Sequence, residues 1–251
     1  PMAGHSKWAS IKHKKAIVDS KRGAHFTKLA RAITVAAKEG GGDPAGNAAL
    51  ATAIQKAKDA SMPKDNIERA IAKGTGAGAD GDSIERVLYE GYGPGGVAVL
   101  VEALTDNRNR TGSDVRHIFS KHGGSLGEPG SVAYLFDKMG VIRVDGTKWG
   151  EDDLLAAIDA GANDIERDDD VLEVLCDPPV TSEVRSALEG DSIEIIASEL
   201  AYRPSTTVSV EEDKAGTLLK LMEALEDNDD VDAVHANFDL DAEVLERLSA
   251  D

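Results

Sequence analysis

The sequence predicts a multidomain α and α+β protein. A small N-terminal helical domain is followed by two ferredoxin-like α+β domains, one inserted in the other. Three observations predict this. Apolar residues recur at helical spacing as far as Gly74 and as strand-like runs beyond Gly81. The segment between, Gly74-Thr75-Gly76-Ala77-Gly78-Ala79-Asp80-Gly81, has the composition of a flexible linker. The later strands and helices then follow one another in the order βαββαβ. The expected domains are residues 2–76, residues 82–137 with 204–251, and residues 138–203.

The elements follow in order. Phe26, Leu29, Ala30, Ile33 and Ala37 share one face of a helix over 24–38. Lys28, Arg31 and Lys38 fall on the opposite side. Gly40-Gly41-Gly42 ends that helix, and Asp43 is placed to cap the next with Pro44 at its first position. The second helix buries Leu50, Ile54 and Ala57. Pro63 opens a third carrying Ile67, Ala70 and Ile71, which stops at Gly74 as the glycine just past its end. After the linker, the turn 91–96 leads into a strand over 97–104, a helix over 110–121 and a strand over 132–136. The inserted unit reads as strand 140–145, helix 151–160, strands 164–168 and 171–176, helix 180–189 and strand 193–201. Strand 206–210, helix 214–226 and strand 231–238 then complete the interrupted domain. Contact between 97–104 and 231–238 is the test of this insertion.

Charge divides the chain at the same place. There are 28 Lys and Arg against 46 Asp and Glu, for a net charge of -18. Residues 1–80 carry a surplus of seven positive charges and the remainder an excess of 25 negative ones. Between Gly4 and Lys38 stand Lys7, Lys12, Lys14, Lys15, Lys21, Arg22, Lys28, Arg31 and Lys38, against the single acid Asp19. A clustered positive field on an acidic body points to a polyanionic partner, a nucleic acid, reached through the N-terminal domain. The acidic body is left for protein partners.

Composition excludes several alternatives. One cysteine, Cys176, cannot form an intramolecular disulfide and fits a reducing, cytoplasmic location. No apolar run approaches a membrane span and no export signal is visible; Met2 reads as the natural start, with Pro1 an added or processing residue. Neither glycine cluster forms a phosphate-binding loop. His5, His13, His25, His117, His122 and His235 show no i, i+4 metal pairing. Asp168-Asp169-Asp170 lacks the spacing of a calcium loop and reads as a hairpin turn. No serine sits in a nucleophile elbow. No catalysis, cofactor, metal or small-molecule substrate is expected; a metal-dependent enzyme acting on nucleic acid is the least supported alternative.

Two segments remain. In Gly4-His5-Ser6-Lys7-Trp8, followed by Lys12-His13-Lys14-Lys15, Trp8 either stacks on a base beside phosphate-bound lysines or anchors a core. In Leu104-Thr105-Asp106-Asn107-Arg108-Asn109-Arg110-Thr111, a strand-to-helix junction could bind an anion through free backbone N–H groups, Arg108 and Arg110. The alternative is a helix cap by Asp106 or Asn107, with both arginines paired to acids. The candidate interface is therefore Lys7, Trp8, Lys12, His13, Lys14, Lys15, Lys21, Arg22, Lys28, Arg31, Arg108 and Arg110.

These segments, with Lys21-Arg22-Gly23, Gly41-Gly42-Asp43-Pro44 and Tyr89-Glu90-Gly91-Tyr92-Gly93-Pro94, closely resemble the YebC/PmpR family. That family includes the mitochondrial translational activator of cytochrome oxidase. The resemblance spans Met2 to the C-terminus and departs only at Gly23-Ala24-His25, where a lysine is expected after the glycine. It implies an N-terminal helical domain and two α+β domains. It also implies a DNA-binding transcriptional regulator or, as in other members, a factor acting on translation at the ribosome. The charge of the body leans toward RNA, because 25 excess negative charges oppose the wrapping of a long duplex.

Overall fold

The computed structural model describes residues 8–9, 22–76 and 84–249. The chain forms two compact units, each built from separated stretches. One comprises Pro1–Ala24, Asp82–Asp137 and Arg203–Asp251, the other His25–Gly81 and Lys138–Tyr202.

In the second unit, three helices, α1 (Arg22–Gly40), α2 (Ala48–Asp59) and α3 (Lys64–Gly74), enclose a core of small and branched side chains. Ile33, Leu50 and Ala57 are fully buried in it. Asn47 organises the first corner. Its amide nitrogen donates to the carbonyls of Ala36 (2.8 Å) and Gly41 (2.9 Å), and its Oδ1 accepts from Leu50 N at 3.1 Å. Asn47 thus satisfies the end of one helix and caps the start of the next. Asp43, expected to cap α2, instead caps a separate 3-10 turn at Pro44–Gly46. The reason is length: the three residues from Pro44 form their own turn before α2 begins.

Gly74 also departs from expectation. It is the last residue of α3, Thr75 is the cap, and the role of the glycine is close approach. A Cβ there would lie 2.3 Å from the Thr34 carbonyl oxygen and 2.8 Å from the Ala37 Cβ. Thr34 Oγ1 meanwhile donates to the Ala70 carbonyl at 3.0 Å, fastening α1 to α3 at that crossing. Gly74→Ala is therefore expected to lower stability by about 1–3 kcal/mol, the usual effect of overpacking, as checked by urea unfolding.

The remainder of this unit is a βαββαβ fold. Its elements are β4 (Phe136–Asp145), a 3-10 turn leading into α5 (Leu155–Asp159), β5 (Ala162–Asp168), β6 (Val171–Cys176), α6 (Thr181–Gly190) and β7 (Ile195–Pro204). The strand order is β5-β6-β4-β7, the ferredoxin-like order. Ile142, Val144, Leu172 and Val174 point from the sheet onto Leu154, Ala157, Val184 and Leu188. On the other face, buried Arg143 binds Glu173 (3.0 Å) and Glu199 (2.6 Å). Burial opposes its charge, but the two carboxylates outweigh that and hold its pKa above the ordinary value. Helix α2 is held to this fold by Arg185, whose guanidinium meets both oxygens of Asp59 at 3.0 and 3.2 Å.

The first unit contains β1 (Glu85–Gly93), β2 (Val97–Thr105), α4 (Arg108–Lys121), β3 (Ser125–Leu126), β8 (Val208–Ser209), α7 (Glu212–Asp227), β9 (Val231–Ala236), β10 (Phe238–Asp239) and α8 (Ala242–Ser249). The sheet order is β3-β1-β2-β9, with β9 antiparallel to β2 from Val99↔Ala236 to Ala103↔Val231. Residues 138–202 lie in sequence between these paired strands. Val97, Val99 and Val101 face α4 and α7 and pack with Val115, Phe119, Leu218, Leu221 and Met222.

The strands of this unit differ from the expected set. The turn expected at 91–96 narrows to a 3-10 turn at Pro94–Gly96, because nine residues of pairing with β2 hold Gly91–Gly93 extended. Residues 132–136 are not a strand of this sheet: Ala133–Leu135 is a 3-10 turn, and Phe136 begins β4. The strand expected at 206–210 shrinks to β8, which pairs with β10 in a separate parallel ribbon.

Candidate nucleic-acid interface

Lys7, Lys12, His13, Lys14, Lys15 and Lys21 lie outside the described residues, as does the side chain of Arg22. On α1, Lys28 and Arg31 are half-buried and Lys38 is exposed, away from the face that carries Leu29, Ile33 and Ala36 into the core. The 3.6-residue period leaves these three cations no place in that core.

Trp8 is buried, 5% exposed, and belongs to the core of the first unit. Its indole Nε1–H donates to Glu226 Oε1 on α7 at 3.3 Å. Of its two readings, the core anchor is the one the structure adopts. A ring whose faces are covered by apolar side chains cannot stack on a base, so Trp8 contributes packing and a polar tether to α7.

Arg108 and Arg110 are likewise engaged. Asn107 caps α4, its Oδ1 accepting from Arg110 N at 3.0 Å. Arg108 Nε donates to Glu85, and the Tyr89 hydroxyl donates to the Arg108 carbonyl at 3.3 Å. Burial pushes the pKa of Tyr89 up. Arg110 binds Asp106 at 2.9 Å and grips both oxygens of Asp230 at 3.0 and 3.2 Å. Thr111 Oγ1 adds 2.8 Å contacts to Asp230 and to Thr105 Oγ1. The backbone carbonyl of Asp230 accepts from Leu104 N at 2.8 Å. Hydrogen bonds to Asp230 and Asp106 raise the pKa of Arg110. The segment expected to hold an anion thus holds the protein's own, Asp230. It ties the β2–α4 junction to the start of β9.

A second internal anion fills the Tyr89-Glu90-Gly91-Tyr92 segment. Glu90, 6% exposed, accepts from the backbone N–H groups of Gly130 (2.6 Å), Val132 (2.9 Å) and Ala133 (2.6 Å). Burial raises the pKa of its carboxyl, but these three donors outweigh it, and the net direction is down.

The N-terminal domain model of TACO1/YebC proteins matches residues 6–77, and the model of their second and third domains matches residues 84–238. The chain belongs to the TACO1/YebC family. A "Probable transcriptional regulatory protein" of Rubrobacter xylanophilus is 55% identical over 249 residues, covering 99% of this chain and 100% of that one. One of the same description from Mycolicibacterium gilvum is 50% identical over 251 residues, covering 100% of both. A crystal structure of a conserved hypothetical protein from Aquifex aeolicus superposes with a TM-score of 0.84 at 48% identity, covering 95% of this chain and 99% of that one.

In this TACO1/YebC chain, then, Trp8, Arg108 and Arg110 have structural partners. The cations of α1 lie on the side of that helix away from its core face, and the lysine-rich lead lies outside the described residues. Sequence reasoning passed over Glu90 and Asp230. Their only signal was an acid set among glycines or at a strand start, which is common in a chain with 46 acids. Among the described residues no three His, Cys, Asp or Glu side chains gather as a metal site. No described helix is long and apolar enough to cross a membrane.

Proposed function

We propose that this TACO1/YebC protein is a non-catalytic, cytoplasmic, nucleic-acid-binding regulator of gene expression, a transcriptional regulator of the YebC type. Its three domains are residues 2–76, 82–137 with 204–251, and 138–203. The first grips phosphates through Lys7, Lys12, Lys14, Lys15, Lys21, Arg22, Lys28 and Arg31. One observation carries this: seven surplus positive charges fall within residues 1–80 of a chain whose remainder carries 25 negative ones. Such a field draws phosphate to one end and repels it elsewhere. The names of the relatives from Rubrobacter and Mycolicibacterium support the transcriptional assignment. Neutralising up to eight phosphates gives a slope of log affinity on log salt approaching about −7 on duplex DNA. Replacing Lys12, Lys14 and Lys15 together by glutamate is expected to weaken binding at least about 100-fold and flatten that slope. A titration with a slope near zero in the parent protein overturns the reading.

The acidity of the body favours a second reading, an RNA-bound translation factor at the ribosome. Crosslinking in cells followed by sequencing separates the two: promoter DNA supports the first and ribosomal RNA the second.

A further inference from the structure

The loop joining β3 to β4 is a built structure. Besides the three bonds to the Glu90 carboxylate, Gly127 N donates to the Glu90 carbonyl at 2.7 Å and Leu135 N to the Val132 carbonyl at 2.9 Å. Ser205 N and Oγ both donate to the Leu135 carbonyl, at 2.8 and 3.1 Å. Val132 is fully buried and Phe136 nearly so. Between these anchors Tyr134 stands 76% exposed, the most of the large apolar side chains in the described residues, with Leu155 next at 59%. Tyr92, 40% exposed, donates its hydroxyl to the Ser131 carbonyl at 3.2 Å, which sets a second ring against the same loop. Exposed carboxylates flank the loop in sequence, Glu128 before Tyr134 and Asp137 after it, while the exposed Lys138 that follows Asp137 sets its ammonium 5.4 Å from the centre of the Tyr202 ring.

We propose that Tyr134 and Tyr92, with Glu128 and Asp137, form a docking surface for a basic protein segment, an arginine or lysine side chain lying over the Tyr134 ring. An aromatic face attracts a cation within about 6 Å of its centre, and Tyr and Arg lead among residues that dominate protein interfaces. The same carboxylates repel phosphate, so a nucleic acid is the poorer occupant. The backbone carrying Tyr134 is already fixed, so little further order is lost on binding. This surface stands independently of the lysine-rich lead, and its test separates the two.

The full chain has four tyrosines, so their ring signals are resolvable by carbon-13 labelling and NMR. Three probes are titrated: a nona-arginine peptide, a nona-glutamate peptide and a nine-nucleotide oligouridine. The Tyr134 signal is expected to move with nona-arginine and with neither of the others. Tyr134→Ala is expected to weaken nona-arginine binding about three- to tenfold, while Tyr134→Phe keeps it. At 76% exposure the alanine variant is expected to unfold at the parent's temperature. Three results overturn the proposal. They are a Tyr134 signal that ignores nona-arginine, one that follows oligouridine, or parent-like peptide affinity in Tyr134→Ala, which would mean dispersed acids alone hold the peptide. A lysine-rich lead that fails to bind nucleic acid would leave these outcomes unchanged.

Discussion

Replacing Glu90 by glutamine is expected to lower stability by about 2–4 kcal/mol, with a larger loss for alanine. The carboxylate serves three backbone donors, at Gly130, Val132 and Ala133. A glutamine offers one oxygen for the two N–H groups that share Oε1, and its NH₂ then faces the Gly130 donor with no acceptor between them. Alanine leaves all three donors without their partner, each at about 1–3 kcal/mol. The effect depends on pH with a definite sign. The carboxyl of Glu90 is held below its ordinary value when folded. Its stabilisation is therefore fully present above the ordinary glutamate range and is lost as pH falls through the lowered value. The stability gap between parent and Glu90→Gln should accordingly narrow on acidification. Urea unfolding of both proteins at a series of pH values checks it. A gap independent of pH would mean that the carboxylate is not what orders the loop.

Replacing Asp230 by alanine is expected to cost about 2–3 kcal/mol. Asp230 is 6% exposed and receives Arg110 and Thr111 from the α4 end of the adjoining β-α junction. Arg110 itself is half-exposed and keeps Asp106, so its stranded charge stays solvated and limits the loss. Thr111 retains Thr105. Arg110→Ala should cost less than Asp230→Ala for the same reason, and the double variant should fall short of the sum. Chemical denaturation of the three variants reads this directly. If the Arg110 and Asp230 losses simply add, the pair does not act as a unit.

Both predictions concern residues that local pattern could not find. The helices of the N-terminal domain were legible because their apolar faces repeat every three to four residues, and α1 with Ile33 and Ala37 folds as that period requires. The inserted βαββαβ order was legible for the same reason, since β-branched runs alternate with amphipathic stretches. β1 was not legible: Gly91 and Gly93 have poor strand propensity, and it is pairing with β2, joined at Gly91 by β3, that makes them extended. Nor were residues 132–136 and 206–210, which are drawn instead into a 3-10 turn and a short ribbon. At the candidate site, charge was countable but pairing was not. Arg108 and Arg110 look like anion binders until Glu85, Asp106 and Asp230 are brought to them, Asp230 from 120 residues away. Trp8 could have served a base or a core until α7, more than 200 residues on, covered it.

The sequence by itself determined the class of the fold and the polarity of charge, because each is a property of local spacing or of simple count, and its motifs carried the resemblance to the family. Only the tertiary structure decided which charges are engaged within the protein. An ion pair or a buried ring depends on neighbours brought together by folding, and their separation along the chain carries no local signal.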